Sequence, residues 1–150
     1  MAHTYTDLLI HALFSTDKRQ PLLDRDLRPR LFSYMSGILK RIGFTPLLVN
    51  GVNDHVHVLF VLPPTLCVAD AVEKLKANSS RWVHEKFPQK RSFSWQPDYT
   101  AFSVSPSNRK RALDYIAGQE EHHRRQSYQE EVLEFLKKSE ISVDPRWGLN

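Results

Sequence analysis

Residues 44–62 read FTPLLVNGVNDHVHVLFVL, and this stretch decides the fold. Residues 44–49 and 52–62 are two apolar runs rich in β-branched side chains, which predicts two strands. The Asn50-Gly51 pair between them is typical of the tight turn of a β-hairpin. The sequence therefore predicts an antiparallel hairpin whose second strand is central to a sheet.

The returning strand, residues 52–62, has two different faces because side chains alternate along a strand. One face carries two histidines and the other only apolar residues: His55, His57, Leu59 and Val61 against Val56, Val58, Phe60 and Leu62. We expect the apolar face to pack on core helices. The histidine face would then be the open face of the sheet, where a C-terminal helix could dock and close a site.

The rest of the chain extends this pattern in both directions. Residues 7–14 are apolar on both faces, as in a central strand, and residues from about 24 to 43 have the apolar spacing of an amphipathic helix. Downstream, the sequence predicts a second helix that ends before Pro88, short strands or an extended hairpin over residues 93–96 and 99–104, a helix from 105 to about 124, and a last helix opened by the capping box Ser127-x-x-Glu130.

This order, β-α-β-β-α-β plus C-terminal helices, matches the α+β ferredoxin-like split βαβ plan. We therefore expect an antiparallel sheet with helices on one face and a C-terminal helix that carries Tyr115.

The composition is ordinary for one globular domain. We assign residues 1–150 to a single domain with a C-terminal tail of about 139–150. The one cysteine, Cys67, excludes an internal disulfide and is expected to be buried. The sequence shows no secretory signal and no stretch of roughly 20 apolar residues, so we expect a cytoplasmic protein without a membrane span. The net charge of +4 is a mild argument for a polyanionic partner.

Two local patterns carry the candidate chemistry. His55 and His57 lie two residues apart on a strand, so both could bind one metal ion. Tyr115 and Gln119 lie one helical turn apart, so both point the same way. If the two faces meet, two imidazoles and an amide oxygen would hold a divalent metal beside a phenol, which suits attack on a phosphodiester. The alternative is a pair of partly exposed strand histidines and a tyrosine that packs half-buried.

The sequence does not determine the roles of four other residues near these patterns. Asp54 could orient one histidine ring. His122 and His123 could be extra ligands or proton carriers, or they could be solvated, and His11 could be a satisfied histidine of the sheet. The chain has no glycine-rich phosphate loop, no His-Glu-x-x-His motif and no paired-cysteine zinc pattern, which argues against those classes of enzyme.

The sequence resembles the single-tyrosine HUH transposases of small bacterial insertion sequences, the TnpA type, and the related REP-associated tyrosine transposases. The resemblance runs from Tyr5 to about Leu136. The matching segments are Asp54-His55-Val56-His57, the stretch KLKANSSRW at residues 74–82, AFSVS at residues 101–105, and Tyr115-Ile116-x-x-Gln119-x-x-His122-His123.

This resemblance implies a mechanism and a set of partners. It implies that His55, His57 and Gln119 bind the metal, Mg²⁺ or Mn²⁺, and that Tyr115 is the nucleophile. The family cuts and rejoins single-stranded DNA at transposon ends through a 5′-phosphotyrosine link, often next to a hairpin. Family members are homodimers, and an active site can combine the histidines of one subunit with the tyrosine of the other.

Basic residues are the candidate DNA contacts, because cations follow a phosphate backbone. We name Lys18, Arg19, Lys76, Arg81, Arg109 and Arg111. Three rival interpretations remain: a domesticated nuclease of the same chemistry acting on chromosomal repeats, a non-catalytic protein that binds single-stranded nucleic acid on the same fold, and a ferredoxin-like interaction protein without DNA or metal.

Overall fold

Four antiparallel strands form one sheet in the order β2-β3-β1-β4. The computed structural model describes residues 3–142. The strands are β1 (Leu9–Ser15), β2 (Thr45–Gly51), β3 (His55–Val61) and β4 (Thr100–Val104). The helices are α1 (Leu27–Arg41), α2 (Val68–Lys86), α3 (Arg109–Ala117), α4 (Gln119–His122) and α5 (Tyr128–Lys138). This arrangement confirms the predicted α+β ferredoxin-like fold.

One face of the sheet is covered by α1 and α2. Ala12 and Phe14 of β1 and the alternate residues of β3, from Val56 to Phe60, contribute to this core and are fully buried. Helix α1 adds Leu31, Met35 and Ile38, and α2 adds Val72, Leu75 and Val83. A fully buried side chain of this size contributes about 1.5–3 kcal/mol, so this layer supplies most of the stability. The predicted apolar face of β3 is thus confirmed.

The opposite face is covered by the C-terminal helices. Two small apolar clusters lie there, one formed by Leu9, Leu59 and Ile116 and the other by Leu13, Tyr128, Val132 and Leu136. The first cluster packs α3 against the sheet, and the second cluster packs α5 against it. His11, His55 and His57 are buried on the same face. Tyr115 lies on α3, and α5 is a further helix that closes this side of the molecule.

The hairpin turn lies beyond the predicted position. Gly51 belongs to β2, and the chain reverses at residues 52–54, where Val52 N donates to His55 O at 3.2 Å. A Cβ atom at Gly51 would lie 2.1 Å from His55 O. Glycine is therefore required by the close approach of two backbones and not by a two-residue turn.

Three other predictions need correction. Residues 93–96 form no strand, and only an isolated bridge joins Trp95 to Thr16. The helix predicted over residues 105–124 is interrupted at Gly118, so Gln119 begins the separate helix α4. Cys67 is exposed because it is the N-cap residue of α2.

The last predicted helix begins as expected. Ser127 accepts from the backbone of Glu130, and the Glu130 side chain accepts from Ser127 N, so the capping box is present. Of the predicted tail, residues 143–150 lie outside the described residues. Among residues 3–142, none of the helices has the length and apolar character needed to cross a bilayer.

Candidate active site

Two buried histidines of β3 form the floor of the site. His55 and His57 have no exposed surface, and their ring centroids lie 5.2 Å apart. Because β3 is an inner strand and His55 and His57 are separated by one residue, both rings project toward α3 and α5, as the spacing predicted.

Each of these rings is held by a partner at its outer nitrogen. His55 Nδ1 lies 2.8 Å from Asp54 Oδ1, and His57 Nδ1 lies 2.7 Å from His11 Nε2. Asp54 therefore orients His55, as predicted, and the role of His11 is that of a buried partner of His57. Both Nε2 atoms are left to face the centre of the site.

Glu131 of α5 occupies that centre. Its side chain is 1% exposed, and its Oε1 atom lies 2.9 Å from His57 Nε2 and 3.3 Å from His55 Nε2. Its other oxygen, Oε2, accepts hydrogen bonds from the Tyr115 hydroxyl and from Gln119 Nε2, the latter at 3.1 Å. One carboxylate thus links the histidines to the tyrosine.

The structure brings together all four residues for which we predicted catalysis or metal binding. The rings of Tyr115 and His57 lie 5.9 Å apart, and Gln119 Oε1 lies 3.3 Å from His55 Nε2. His122 Nε2 lies 3.1 Å from the Tyr115 hydroxyl. His122, whose role the sequence left undetermined, therefore lies beside the tyrosine.

Burial determines the charge of the two innermost histidines. It lowers the pKa of His57 to about 4 and that of His11 to about 3, so both rings are neutral at neutral pH. Burial also acts on His55, but hydrogen bonds to Asp54 and Glu131 outweigh it and raise the pKa of that ring. A neutral imidazole is the form that binds metal ions.

The carboxylate and the phenol are shifted in opposite directions. Burial alone would raise the pKa of Glu131, but contacts with His123, His55 and His57 lower it well below its ordinary value. Burial, and next the hydrogen bond to Glu131, raise the pKa of Tyr115. The site therefore holds an ionised carboxylate against a protonated phenol, and the phenol needs a further positive charge nearby to act as a nucleophile.

Four side chains of the site could hold a metal ion: His55, His57, His123 and Glu131. Their ligand atoms all lie within 4.8 Å of one another. His123 Nε2 is buried and makes no hydrogen bond of acceptable geometry, so it is available for a ligand. Imidazole nitrogens and a carboxylate oxygen are ordinary ligands of divalent metals, so these residues fit such an ion.

An open cleft leads to Tyr115 between β4, α3 and α5. Its walls include the stacked rings of Phe102 and Phe135, whose centroids lie 5.3 Å apart, and the cations Arg111 and Lys138. The Tyr115 ring meets Phe135 edge-on at 5.7 Å. The nucleophile candidate is therefore reachable from solvent through a cleft lined by aromatic rings, by these two cations and by Glu134.

The predicted DNA contacts are divided among several surfaces. Arg109 and Arg111 are exposed on α3, and Arg111 lines the cleft. Lys18 and Arg19 line a second depression together with Asp54 and His123.

Two predicted contacts are not brought to the site. Arg81 lies on α2, which covers the opposite face of the sheet, and it donates to Asn78 Oδ1 at 3.0 Å. Lys76 is half-buried, and its ammonium donates to the carbonyls of Gln96 and Asp98.

One candidate ligand, Glu131, was missed from the sequence, although it left a signal. Glu131 falls among Tyr128, Val132 and Leu136, which are the buried face of α5. A glutamate in the apolar stripe of an amphipathic helix needs a buried partner, and this pattern could have marked it. His123 was considered as an extra ligand from the sequence but not assigned, since its position depends on the turn after α4.

A family model settles the membership of this chain. The model of IS200-like transposases matches residues 4–119, which include both histidines of β3, Tyr115 and Gln119. The chain belongs to the IS200-like transposase family. The transposase family assignment agrees with the resemblance drawn from the sequence motifs.

Solved structures agree with this assignment. A candidate transposase from Deinococcus radiodurans is 25% identical, with a TM-score of 0.65 over 79% of this chain and 96% of that one. A REP-associated tyrosine transposase bound to a REP hairpin is 15% identical, with a TM-score of 0.60 over 82% of this chain and 73% of that one. The second likeness shows the fold. No curated protein matches the chain.

Proposed function

We propose that this transposase is a metal-dependent enzyme that cuts and rejoins single-stranded DNA, with Tyr115 as its nucleophile. The observation that carries the proposal is the convergence of Tyr115, His55 and His57 on one buried carboxylate, Glu131. A nucleophile and a metal site must share one phosphate, and here they are separated by a single carboxyl group.

The residues have distinct roles in the proposed reaction. Tyr115 Oη attacks the phosphorus, the bond to the 3′ oxygen of the preceding nucleotide breaks, and a 5′-phosphotyrosine link forms. The leaving 3′ oxygen takes a proton from water and becomes a free 3′-hydroxyl. Glu131 Oε2, which already accepts from the hydroxyl, is placed to take its proton. His55 and His57, with Gln119 at the edge, would hold Mg²⁺ or Mn²⁺. When bound, the ion polarises the phosphate and stabilises charge on the leaving oxygen.

The cleft supports a single strand as substrate. Unpaired bases stack on aromatic side chains, and phosphates follow cations, which Phe102, Phe135, Arg111 and Lys138 provide beside Tyr115. We extend the proposal to a hairpin near the cleaved end, because one solved relative of the same fold is bound to a REP hairpin. A homodimer with shared active sites and a cytoplasmic location, in a prokaryotic cell, belong to the same proposal.

The test is a covalent adduct with labelled single-stranded DNA taken from the sequence that flanks the gene. With Mn²⁺ or Mg²⁺ we expect a complex that survives denaturation in the wild type and is lost in Tyr115→Phe. Tyr34→Phe is the matched control, because Tyr34 stacks on Trp82 on the opposite face of the sheet, and it should retain the adduct.

Two results would contradict the proposal. An adduct that persists in Tyr115→Phe would assign the nucleophile elsewhere, with Tyr128 as the next candidate. DNA binding without an adduct in any metal would instead identify a non-catalytic protein that binds single strands.

A further inference from the structure

We propose that His123 and Glu131 complete the metal centre of this chain, so that three imidazole nitrogens and Glu131 Oε1 hold the ion while Gln119 positions Glu131. The inference rests on the proposed function for its need of a metal. It replaces Gln119 in the proposed ligand set by His123 and Glu131. Both residues lie beyond residues 4–119, which match the family model.

The three histidines are oriented in the same way. Each has its Nδ1 atom engaged by an outer partner: Asp54 Oδ1 at 2.8 Å for His55, His11 Nε2 at 2.7 Å for His57, and the Gln126 carbonyl at 2.6 Å for His123. His55 and His123 are thus held as metal-binding histidines typically are, by a carboxylate or a carbonyl at the nitrogen that does not bind the metal, and His57 is held by a third imidazole. All three Nε2 atoms consequently face one point.

The hydrogen-bond donors and acceptors around Glu131 Oε1 indicate that a cation is needed there. The Gln126 carbonyl only accepts hydrogen bonds, so His123 Nδ1 must carry the proton. In the neutral ring, His123 Nε2 then presents a lone pair to Glu131 Oε1, 3.1 Å away. A lone pair that faces a buried anion is repelled by it unless a cation lies between them.

The two oxygens of Glu131 face different groups. Oε1 faces the three Nε2 atoms, and Oε2 accepts from Tyr115 and Gln119. A carboxylate that binds an ion through one oxygen leaves the other oxygen free to accept hydrogen bonds. Because the amide of Gln119 donates to Oε2, its contribution is to fix the carboxylate and, through it, the Tyr115 hydroxyl.

This ligand set predicts the class of metal. Mg²⁺ prefers oxygen ligands and retains water, whereas imidazole nitrogens suit Mn²⁺, Co²⁺, Fe²⁺ and Zn²⁺. The proposed centre therefore prefers those ions to Mg²⁺. It also has a structural consequence, since an ion held by β3 and by Glu131 would bind α5 to the sheet.

Cobalt binding to the whole protein tests the ligand set without reference to activity. Co²⁺ alone is titrated into the metal-free chain, with calorimetry for affinity and the visible absorption bands for coordination. We expect His123→Asn and Glu131→Gln each to weaken binding at least about tenfold and to change the bands. Gln119→Ala removes a residue that orients Glu131 and no ligand, so it should weaken binding less than either of these variants. Glu134→Gln is the matched control, because Glu134 is an exposed neighbour on α5.

A second readout covers variants that fold poorly. Hydrogen exchange of the wild type should slow in α5, and not in α2, when Co²⁺ is added. Loss of the bands in Gln119→Ala with unchanged binding in His123→Asn would overturn the inference in favour of two histidines and an amide. So would the absence of any Co²⁺ binding, which would mean that protonated imidazoles, and not an ion, balance the charge of Glu131.

The inference and the proposed function can fail separately. Cobalt binding as described, without a Tyr115 adduct, would uphold the ligand set and reject the reaction. An adduct whose metal dependence is unchanged in His123→Asn and Glu131→Gln would uphold the reaction and reject the ligand set.

Discussion

At the scale of the residue, Lys76 shows how a basic side chain predicted to contact DNA is used inside the fold. Its ammonium donates to the carbonyls of Gln96 and Asp98, both at 2.7 Å, and lies 5.2 Å from the centre of the Phe14 ring. These bonds hold the segment before β4 against α2. Burial lowers the pKa of Lys76 from 10.5 to about 8.

This pKa predicts a pH dependence of stability. The unfolded chain keeps the Lys76 proton up to about pH 10.5, whereas the folded chain loses it near pH 8, so unfolding takes up a proton between these values. The contribution of Lys76 to the free energy of unfolding should therefore rise with pH across this window. Because the side chain is half-exposed, we expect no more than about 1 kcal/mol.

Urea unfolding of the wild type and Lys76→Met at several pH values between 8 and 10 measures this contribution. The difference between the two curves should grow with pH. Lys74→Met, on the exposed side of α2, should give a constant difference. A constant difference for Lys76→Met as well would mean that its ammonium is fully solvated in the native state.

Local spacing was sufficient to predict some residues of the site and not others. His55 and His57 on a strand, and Tyr115 and Gln119 one turn apart, need only the geometry of one element to point the same way. Their convergence with Glu131 depends on how α5 docks, which no short pattern encodes. The roles of these residues in catalysis and metal binding stay predictions.

At the scale of the element, two glycines predict opposite effects of the same substitution. Gly51→Ala would place Cβ 2.1 Å from His55 O and 2.9 Å from Val56 Cα, both backbone atoms of β3. The two strands must separate, which should cost about 1–3 kcal/mol. Gly37 lies within α1, and a Cβ there meets nothing within 4 Å. Gly37→Ala should therefore stabilise the protein by about 0.5–1 kcal/mol.

Thermal or urea unfolding of the two variants, each against the wild type, measures both signs in one experiment. The position of β3 also fixes His55, so Gly51→Ala should weaken Co²⁺ binding as well, and Gly37→Ala should leave it unchanged. Equal stability of the two variants would show that the hairpin can open at Gly51 without strain.

The elements predicted best are those with a continuous pattern and a defined end. Helix α2 ends before Pro88 and α5 begins at its capping box, as their sequences indicated. The helix predicted from residue 105 failed at Gly118, where a poor helix former allows the chain to turn and start α4. The segment at residues 93–96 has the composition of a strand but pairs through one bridge only. Side chains of α2 bond two of its carbonyl groups instead, His84 that of Phe93 at 2.8 Å and Lys76 that of Gln96 at 2.7 Å.

At the scale of the whole molecule, the sheet separates a structural face from a chemical one. Helices α1 and α2 cover one side with the main apolar core, and α3 and α5 enclose the histidines on the other. The net charge of +4 could not show where a polyanion would bind. In the structure, part of this charge, Arg111 and Lys138, lies at the cleft that reaches Tyr115. Binding of DNA at this cleft stays a prediction.

This separation predicts which cations act on DNA. Each phosphate contact on a single strand contributes about 0.7 to the slope of log affinity against log salt concentration. Arg111→Ala should lower the affinity for single-stranded DNA and reduce that slope by about 0.7, since Arg111 lines the cleft. Lys40→Ala removes a cation of α1 on the other face and should leave the slope unchanged.

Fluorescence anisotropy of a labelled oligonucleotide at several salt concentrations gives both slopes. The measurement uses Tyr115→Phe as the background for each variant, so that covalent capture does not distort the equilibrium. Equal losses in Arg111→Ala and Lys40→Ala would show that DNA is attracted by net charge alone. A loss confined to Lys40→Ala would place the DNA on the face covered by α1 and α2. The proposed path of the DNA through the cleft to Tyr115 would then be wrong.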